Sequence, residues 1–234
     1  MKTVVIIPAG GTGRRMGGEI PKQYLSLAGI PILVHTLREF QHSPLADEIV
    51  LVVPGEDVAE VRRDMVERYD FSKVSLVIEG GRERQDSVRN ALVHVRDEHE
   101  IVLVHDGVRP FVTGTLIERA VSGAKAFCAV AIGVPVRDTV KAVDAAGRVV
   151  KTVPREGLWL TQTPQAFRRD VILAAYKRAA ADAFYGTDDA SLVERMGIPV
   201  RMIPGDADNI KVTTPEDLAR AERMIRRFEG GTAD

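Results

Sequence analysis

Runs of β-branched residues recur along the chain at residues 4–7, 49–53, 74–78, 101–104 and 129–134. Between them, apolar residues fall three and four apart, as at Val88, Leu92 and Val95, which predicts amphipathic helices over 32–41, 58–69, 86–96 and 116–127. A strand that is apolar at every position belongs in a sheet covered on both faces. The alternation therefore predicts an α/β fold: a Rossmann-like, mostly parallel sheet flanked by helices. A last helix is expected to open with Thr214 as N-cap, Pro215 at the first helical position and Asp217 as the capping-box acid. Its Arg220, Arg223, Arg226 and Arg227 read as solvated charge. No repeat, long linker or low-complexity tract interrupts the pattern, so residues 1–234 are expected to form one domain.

One segment departs from this rhythm. Residues 137–155 hold two short alternating strands around the turn signal at 144–147, which predicts a protruding β-hairpin arm. Two strands alone are marginal in water, so Val140, Val143, Val149 and Val153 need a surface to cover. Either a second subunit or the arm's own domain supplies it; a homodimer through the arm is the expectation.

The composition narrows the class of protein. Of the 234 residues, 45% are hydrophobic and 28% charged, enough for one sizeable core. Thirty-two basic against 33 acidic side chains leave a net charge of -1, so no global field favours nucleic acid or an anionic membrane. Cys128 is the single cysteine and the first residues lack a signal-peptide pattern, which points to the cytoplasm. The longest apolar run, residues 128–136, is too short to cross a membrane.

Ligands of open α/β sheets bind outside the carboxyl ends of the strands, so the strand exits carry the candidate chemistry. The first exit reads Pro-Ala-Gly-Gly-Thr-Gly-Arg-Arg-Met over 8–16, followed by Pro-Lys-Gln-Tyr-Leu from Pro21. Gly10, Gly11 and Gly13 can take positive φ and let backbone N–H groups approach an anion, while Arg14, Arg15 and Lys22 supply charge. This reads as a polyphosphate cradle, against the plainer alternative of a tight turn with solvated arginines. Met16 stands where a dinucleotide fingerprint needs glycine, and the Gly-Lys-Ser/Thr of a Walker loop is absent. The third exit, residues 80–88, offers Gly80, Gly81 and Ser87 to the edge of a base, or is merely a turn capped by Asp86 or Ser87. At the fourth, Asp106 suits a ribose hydroxyl or a magnesium-bound water, with a structural Asp106–Arg109 pair as the rival. His105 has no ligand spacing with His35, His42, His94 or His99 and reads as packing. Arg155 and Lys211 suit a second anion, or are surface charges.

Taken together and in order, these motifs resemble the 2-C-methyl-D-erythritol 4-phosphate cytidylyltransferase family over essentially the whole length. The resemblance implies a nucleotidyltransferase that joins CTP to methylerythritol phosphate and releases pyrophosphate, with Mg²⁺ held mainly by the CTP phosphates. It also implies a homodimer formed through the β-arm. It places Arg15 and Lys22 on the triphosphate and the transition state, with Arg155 and Lys211 as further catalytic groups. Pro8, Ala9, Gly10, Gly11, Gly13, Gly81, Arg82, Ser87, Asp106 and Gly107 would bind the nucleotide. Asp106, Arg109, Thr139, Arg155, Thr163, Thr187 and Lys211 would hold the polyol phosphate, Thr139 and Arg155 serving the partner's site. The chain departs from the family at Gly10, where many members have alanine, at Arg82, which replaces an acidic residue of some, and at Gly107 and Val108, where two alanines are commoner. His105–Phe111 is also similar to the ribitol 5-phosphate cytidylyltransferases. A ribitol acceptor, another nucleotide or a catalytically silent nucleotide-binding module are the alternatives.

Overall fold

The computed structural model describes residues 2–11 and 21–230, with the backbone alone for 227–230. In chain order come β1 (Lys2–Pro8), the short pair β2 (Ser26–Leu27) and β3 (Ile30–Pro31), α1 (Ile32–His42), β4 (Glu48–Val53) and α2 (Val58–Val61). They are followed by β5 (Val74–Glu79), α3 (Arg84–Leu92), β6 (His99–Val104), α4 (Gly114–Phe127) and β7 (Ala129–Pro135). The second part holds β8 (Val140–Val143), β9 (Val149–Val153), β10 (Trp159–Arg168), α5 (Arg169–Ala181), α6 (Asp189–Glu194), β11 (Arg201–Pro204) and α7 (Pro215–Gly230).

Seven strands form one sheet in the order β11-β7-β10-β6-β1-β4-β5. Its neighbours pair in parallel except β10, which runs antiparallel to both β6 and β7. The apolar strand runs sit where the sheet is covered on both faces, and their side chains alternate between two cores. Val5, Ile7, Leu51 and Leu103 meet α1 and α4 through Leu37, Phe40 and Ile117. Val4, Ile6, Val50 and Val104 meet α3 and α5 through Val88, Leu92 and Ile172. A smaller cluster of Leu27, Ile32, Val108, Val212 and Ile225 seats α7 beside β2.

Several boundaries differ from the sequence-based layout for identifiable reasons. Helix α3 begins at Arg84, two residues early, because Glu83 is its N-cap and forms a capping box with Asp86. It ends at Leu92, and Val93 beyond it is 80% exposed. The predicted helix over 58–69 is one α-helical turn followed by a π-helical stretch, Arg62–Glu67. At α7 the cap is as expected: Asp217 accepts from the N–H of Thr213 and Thr214, and its own N–H donates to Thr214 Oγ1 at 3.3 Å. Strands β8 and β9 form the hairpin, whose turn closes where Ala146 and Arg148 donate to Asp144 Oδ1. Val143 and Val149 on it are 56% and 60% exposed.

At the end of the sheet opposite the ligand edge, buried Glu48 accepts from Ser75 Oγ at 2.5 Å, Arg96 Nη2 at 2.5 Å and His99 Nε2 at 3.0 Å. Burial pushes its carboxyl pKa up, but the Ser75 and Arg96 hydrogen bonds and the nearby positive charge outweigh this and hold it below the ordinary value. A depressed carboxyl stabilises the fold above its unfolded pKa and loses that contribution as pH falls. Glu48→Gln is therefore expected to lower unfolding free energy by about 1–3 kcal/mol at pH 7. The difference from wild type should shrink as pH drops below about 4.3. Denaturant titrations at neutral and acidic pH check this; a difference that does not change with pH would remove the ionised carboxylate as its source.

Candidate active site

The exits of β1, β4, β5 and β6 meet at one edge of the sheet. Ala9 N–H donates to Val52 O at 2.7 Å and Gly107 N–H to Pro8 O at 3.2 Å, so the first loop is fixed where it leaves β1. Gly107 is buried beneath that loop: a Cβ there would stand 3.0 Å from Ala9 Cβ and 3.1 Å from Leu33 Cδ1. Close packing explains this glycine, and it is Val108 that lines the cleft. Gly10 and Gly11 do not use the positive φ open to glycine. A Cβ on Gly10 would meet nothing within 4 Å, whereas one on Gly11 would stand 3.2 Å from Lys22 Cε. Here glycine serves close approach, bringing the Lys22 stem against the loop backbone. Gly13, Arg14 and Arg15 lie outside the described residues.

At the exit of β5, Gly81 N–H donates to Ser87 Oγ at 3.1 Å, and that hydroxyl donates to Glu83 O at 3.2 Å. Ser87 thus fastens the turn, and neither it nor Asp86 is the N-cap. Both Gly81 and Ser87 still line the cleft, together with Arg82 and Arg84. A Cβ on Gly81 would lie 2.2 Å from Asp86 Cβ, so no other residue fits without moving the loop.

Asp106, at the end of β6, is 6% exposed and is the electrostatic centre of the edge. Its Oδ1 meets Arg84 Nε at 3.0 Å; its Oδ2 meets Lys211 Nζ at 2.8 Å and, as a looser ion pair, Arg109 Nε at 3.6 Å. Burial opposes its charge, but Arg84, Lys211 and Arg109 more than reverse the effect and hold the carboxyl far below the usual range. Arg84 also pairs with Asp189 at 2.8 Å, and Asp189 accepts from Tyr176 OH at 2.5 Å. Burial works against the Arg84 guanidinium too, yet the Asp189 and Asp106 carboxylates raise its pKa well above normal. On the other flank Arg109 Nη1 donates to Asn209 O, and Asn209 Nδ2 to Thr163 O, both at 2.8 Å. Thr163 Oγ1 accepts from Asp106 N–H at 3.1 Å. Arg109 is therefore both the structural pair of Asp106 and a wall of the site.

Two hollows share this cluster. One, of about 340 Å³, is lined by Pro8–Gly11, Lys22, Gly81–Arg84 and Ser87. The other, of about 270 Å³, is lined by Arg109, Thr163, Gln165, Thr187 and Asp188. Arg84, Asp106 and Lys211 belong to both and form the wall between them. Of the residues expected around the polyol phosphate, Asp106, Arg109, Thr163, Thr187 and Lys211 converge here. Thr139 and Arg155 do not: both are exposed at the root of the arm, where Arg155 Nη1 donates to Arg137 O. Arg84, Asp189 and Gln165 were not legible as site residues. Gln165 Nε2 donates to Asp188 Oδ2 at 2.6 Å and its Oε1 accepts from Ala190 N–H at 2.9 Å, contacts between segments remote in sequence. His105 is packing, as expected: it is fully buried, 5.0 Å edge-on to Phe40, and burial pushes its pKa down to about 3. Among the described residues no three His, Cys, Asp or Glu side chains are grouped to hold a metal ion.

A cation-rich hollow at the glycine turn of an α/β sheet, sharing an ion-paired wall with a second hollow, is suited to holding two phosphorylated ligands side by side, and the relatives of the chain are nucleotidyltransferases. The family model of 2-C-methyl-D-erythritol 4-phosphate cytidylyltransferase matches residues 3–227, and the chain belongs to this family. It is 52% identical over 229 residues to the enzyme of that name from Syntrophus aciditrophicus, covering 98% of each chain. To the Geotalea uraniireducens enzyme of the same name it is 48% identical, covering 97% of each. Among solved structures, it is similar to the 4-diphosphocytidyl-2C-methyl-D-erythritol synthase of Anaerococcus prevotii, with TM-score 0.84, 32% identity, and 97% and 96% of the two chains covered. The 2-C-methyl-D-erythritol 4-phosphate cytidylyltransferase of Thermus thermophilus superposes with TM-score 0.82 at 33% identity, over 97% of this chain and 100% of the other. The ribitol alternative is not favoured.

Gly81→Ala is expected to displace the loop leading into α3 and raise KM for the nucleotide about tenfold. Steady-state kinetics with the nucleotide varied checks this. An unchanged KM would restrict Gly81 to shaping the turn.

Proposed function

We propose that this chain joins CTP to 2-C-methyl-D-erythritol 4-phosphate, giving 4-diphosphocytidyl-2-C-methyl-D-erythritol and pyrophosphate. The observation that carries the mechanism is the Arg84–Asp106–Lys211 wall shared by two hollows, each rich in cations and hydrogen-bond donors. One hollow takes the nucleotide, against the glycine loop and Lys22. The other takes the acceptor, with Arg109 and Lys211 for its phosphate and Thr163 and Thr187 for its hydroxyls. A phosphate monoester is already ionised near neutral pH, so no general base is required. One of its oxygens attacks the α-phosphorus of CTP, the new P–O bond forming as the bond to pyrophosphate breaks in line. Lys22 and Arg15 stabilise the charge that builds on the phosphorus and the leaving group.

Nucleotidyltransferases generally use a divalent metal, and here it is Mg²⁺. Both Asp106 oxygens are engaged by cations and the described residues hold no ligand cluster, so the triphosphate oxygens would be its main ligands, with Asp106 as at most one more. When bound it supplies neutralisation of the pyrophosphate charge. The arm joins two copies as a homodimer and delivers Thr139 and Arg155 to the partner's acceptor hollow; the exposed Val143 and Val149 of the arm, and the fact that neither Thr139 nor Arg155 lines the hollow of its own chain, support this. Among the described residues no helix is long and apolar enough to cross a membrane. The cytoplasm is the proposed location, and the lone Cys128 suits a reducing compartment.

Pyrophosphate release that requires both CTP and methylerythritol phosphate tests the reaction; release with neither acceptor dependence nor CTP preference would overturn it. Lys22→Ala is expected to lower kcat by about 10² or more. A variant turning over within a few-fold of wild type would remove Lys22 from the transition state. Arg155→Ala should raise KM for the acceptor and leave that for CTP unchanged. Mixing and re-forming dimers from the Lys22→Ala and Arg155→Ala chains should restore activity, since one site then receives an intact Lys22 and an intact Arg155. No recovery would place Arg155 in the site of its own chain.

A further inference from the structure

Three consecutive residues at the start of α3 all reach the short stretch 184–189, which leads into and begins α6. Arg84 pairs with Asp189 at 2.8 Å, and Asp86 accepts from Tyr185 OH at 3.1 Å. Between them, the Gln85 side chain makes two bonds: Nε2 donates to Phe184 O and Oε1 accepts from Gly186 N–H, both at 2.9 Å. One side-chain amide thus satisfies a backbone acceptor and a backbone donor two residues apart, as the edge of a strand would. The segment has little freedom on its other side: a Cβ on Gly186 would stand 2.2 Å from Ser191 Oγ and 2.8 Å from Leu192 Cδ2. The next residue is Thr187, whose exposed side chain lines the acceptor hollow.

We propose that Gln85 is a positioning residue for the acceptor: by clamping the backbone of Phe184 and Gly186 it fixes where Thr187 stands, so that the loop framing the nucleotide also sets the geometry of the second substrate's subsite. This rests on the reading of the Thr187 hollow as the acceptor subsite. Gln85 itself touches neither hollow around Asp106. Its effect is transmitted through backbone, and it differs from Arg84, which lines both.

Gln85→Met keeps the side-chain length and removes both bonds. Amide exchange at Gly186 in the free enzyme is expected to accelerate by about tenfold or more. KM for methylerythritol phosphate should rise about fivefold to tenfold, while KM for CTP and kcat stay within about twofold. Gln85→Glu retains acceptance from Gly186 but loses donation to Phe184 and should fall between the two. Unchanged exchange at Gly186 would show that no clamp operates. Faster exchange with an unmoved acceptor KM, or an equal rise in both KM values, would show a merely structural role and overturn the proposal. Should the wild-type enzyme fail to use methylerythritol phosphate, the functional reading fails, while the exchange measurement still decides the clamp.

Discussion

A carboxylate almost out of contact with water, Asp106, has to be kept ionised, and much of the ligand edge is arranged to do this. Three cations from three separate segments, Arg84, Arg109 and Lys211, converge on it. A charge in that setting is tolerated only when paired and hydrogen-bonded. Satisfying it therefore ties α3, the exit of β6 and the segment before α7 to one point. Arg84 and Lys211 face both hollows, and Arg109 faces the second. A polyanion that enters either one meets groups already held in place, with their reorganisation cost met when the protein folded.

The electrostatic layout also explains why the site is cationic although the chain is nearly neutral overall. Asp106 and Asp189 hold guanidinium and ammonium groups in position. The carboxylates act as internal anchors, and the field that a phosphate meets is local. This is the arrangement expected of an enzyme that recognises small phosphorylated substrates rather than an extended polyanion.

The sheet centre was legible because β1, β4 and β6 are apolar at nearly every position, the pattern left by burial on both faces. Strand β10 was not. It carries Gln162, Thr163 and Gln165 in buried positions, where they bond Asp206 O, the Asp106 N–H and Asp188, so its polar residues answer to the site and obscure the strand pattern. Helix α5 does carry a readable signal, Ile172, Ala175, Tyr176 and Ala179 at three and four residue spacing, though the layout drawn from the sequence omits it. In the site, glycines and cations at strand exits were recognisable from their position after apolar runs. Arg84 was not, because its two carboxylates come from distant parts of the chain and nothing local distinguishes it from a solvated arginine. The resemblance of the ordered motifs supplied the residues proposed for the acceptor, which spacing alone left open.

The reversal of β10 settles where an appendage can grow. Strand β7 ends at Pro135 on the ligand edge, and because its sheet neighbour β10 runs the other way, the chain re-enters at Trp159 on that same edge. A parallel successor would have needed a crossover back to the opposite end of the sheet. The intervening residues are thus free to lengthen or shorten in strand-sized steps without disturbing either core, and any group they carry starts out on the edge that holds the two hollows. An antiparallel strand in an otherwise parallel sheet gives this architecture a place where new contacts to a reaction centre can be added from outside the folded body.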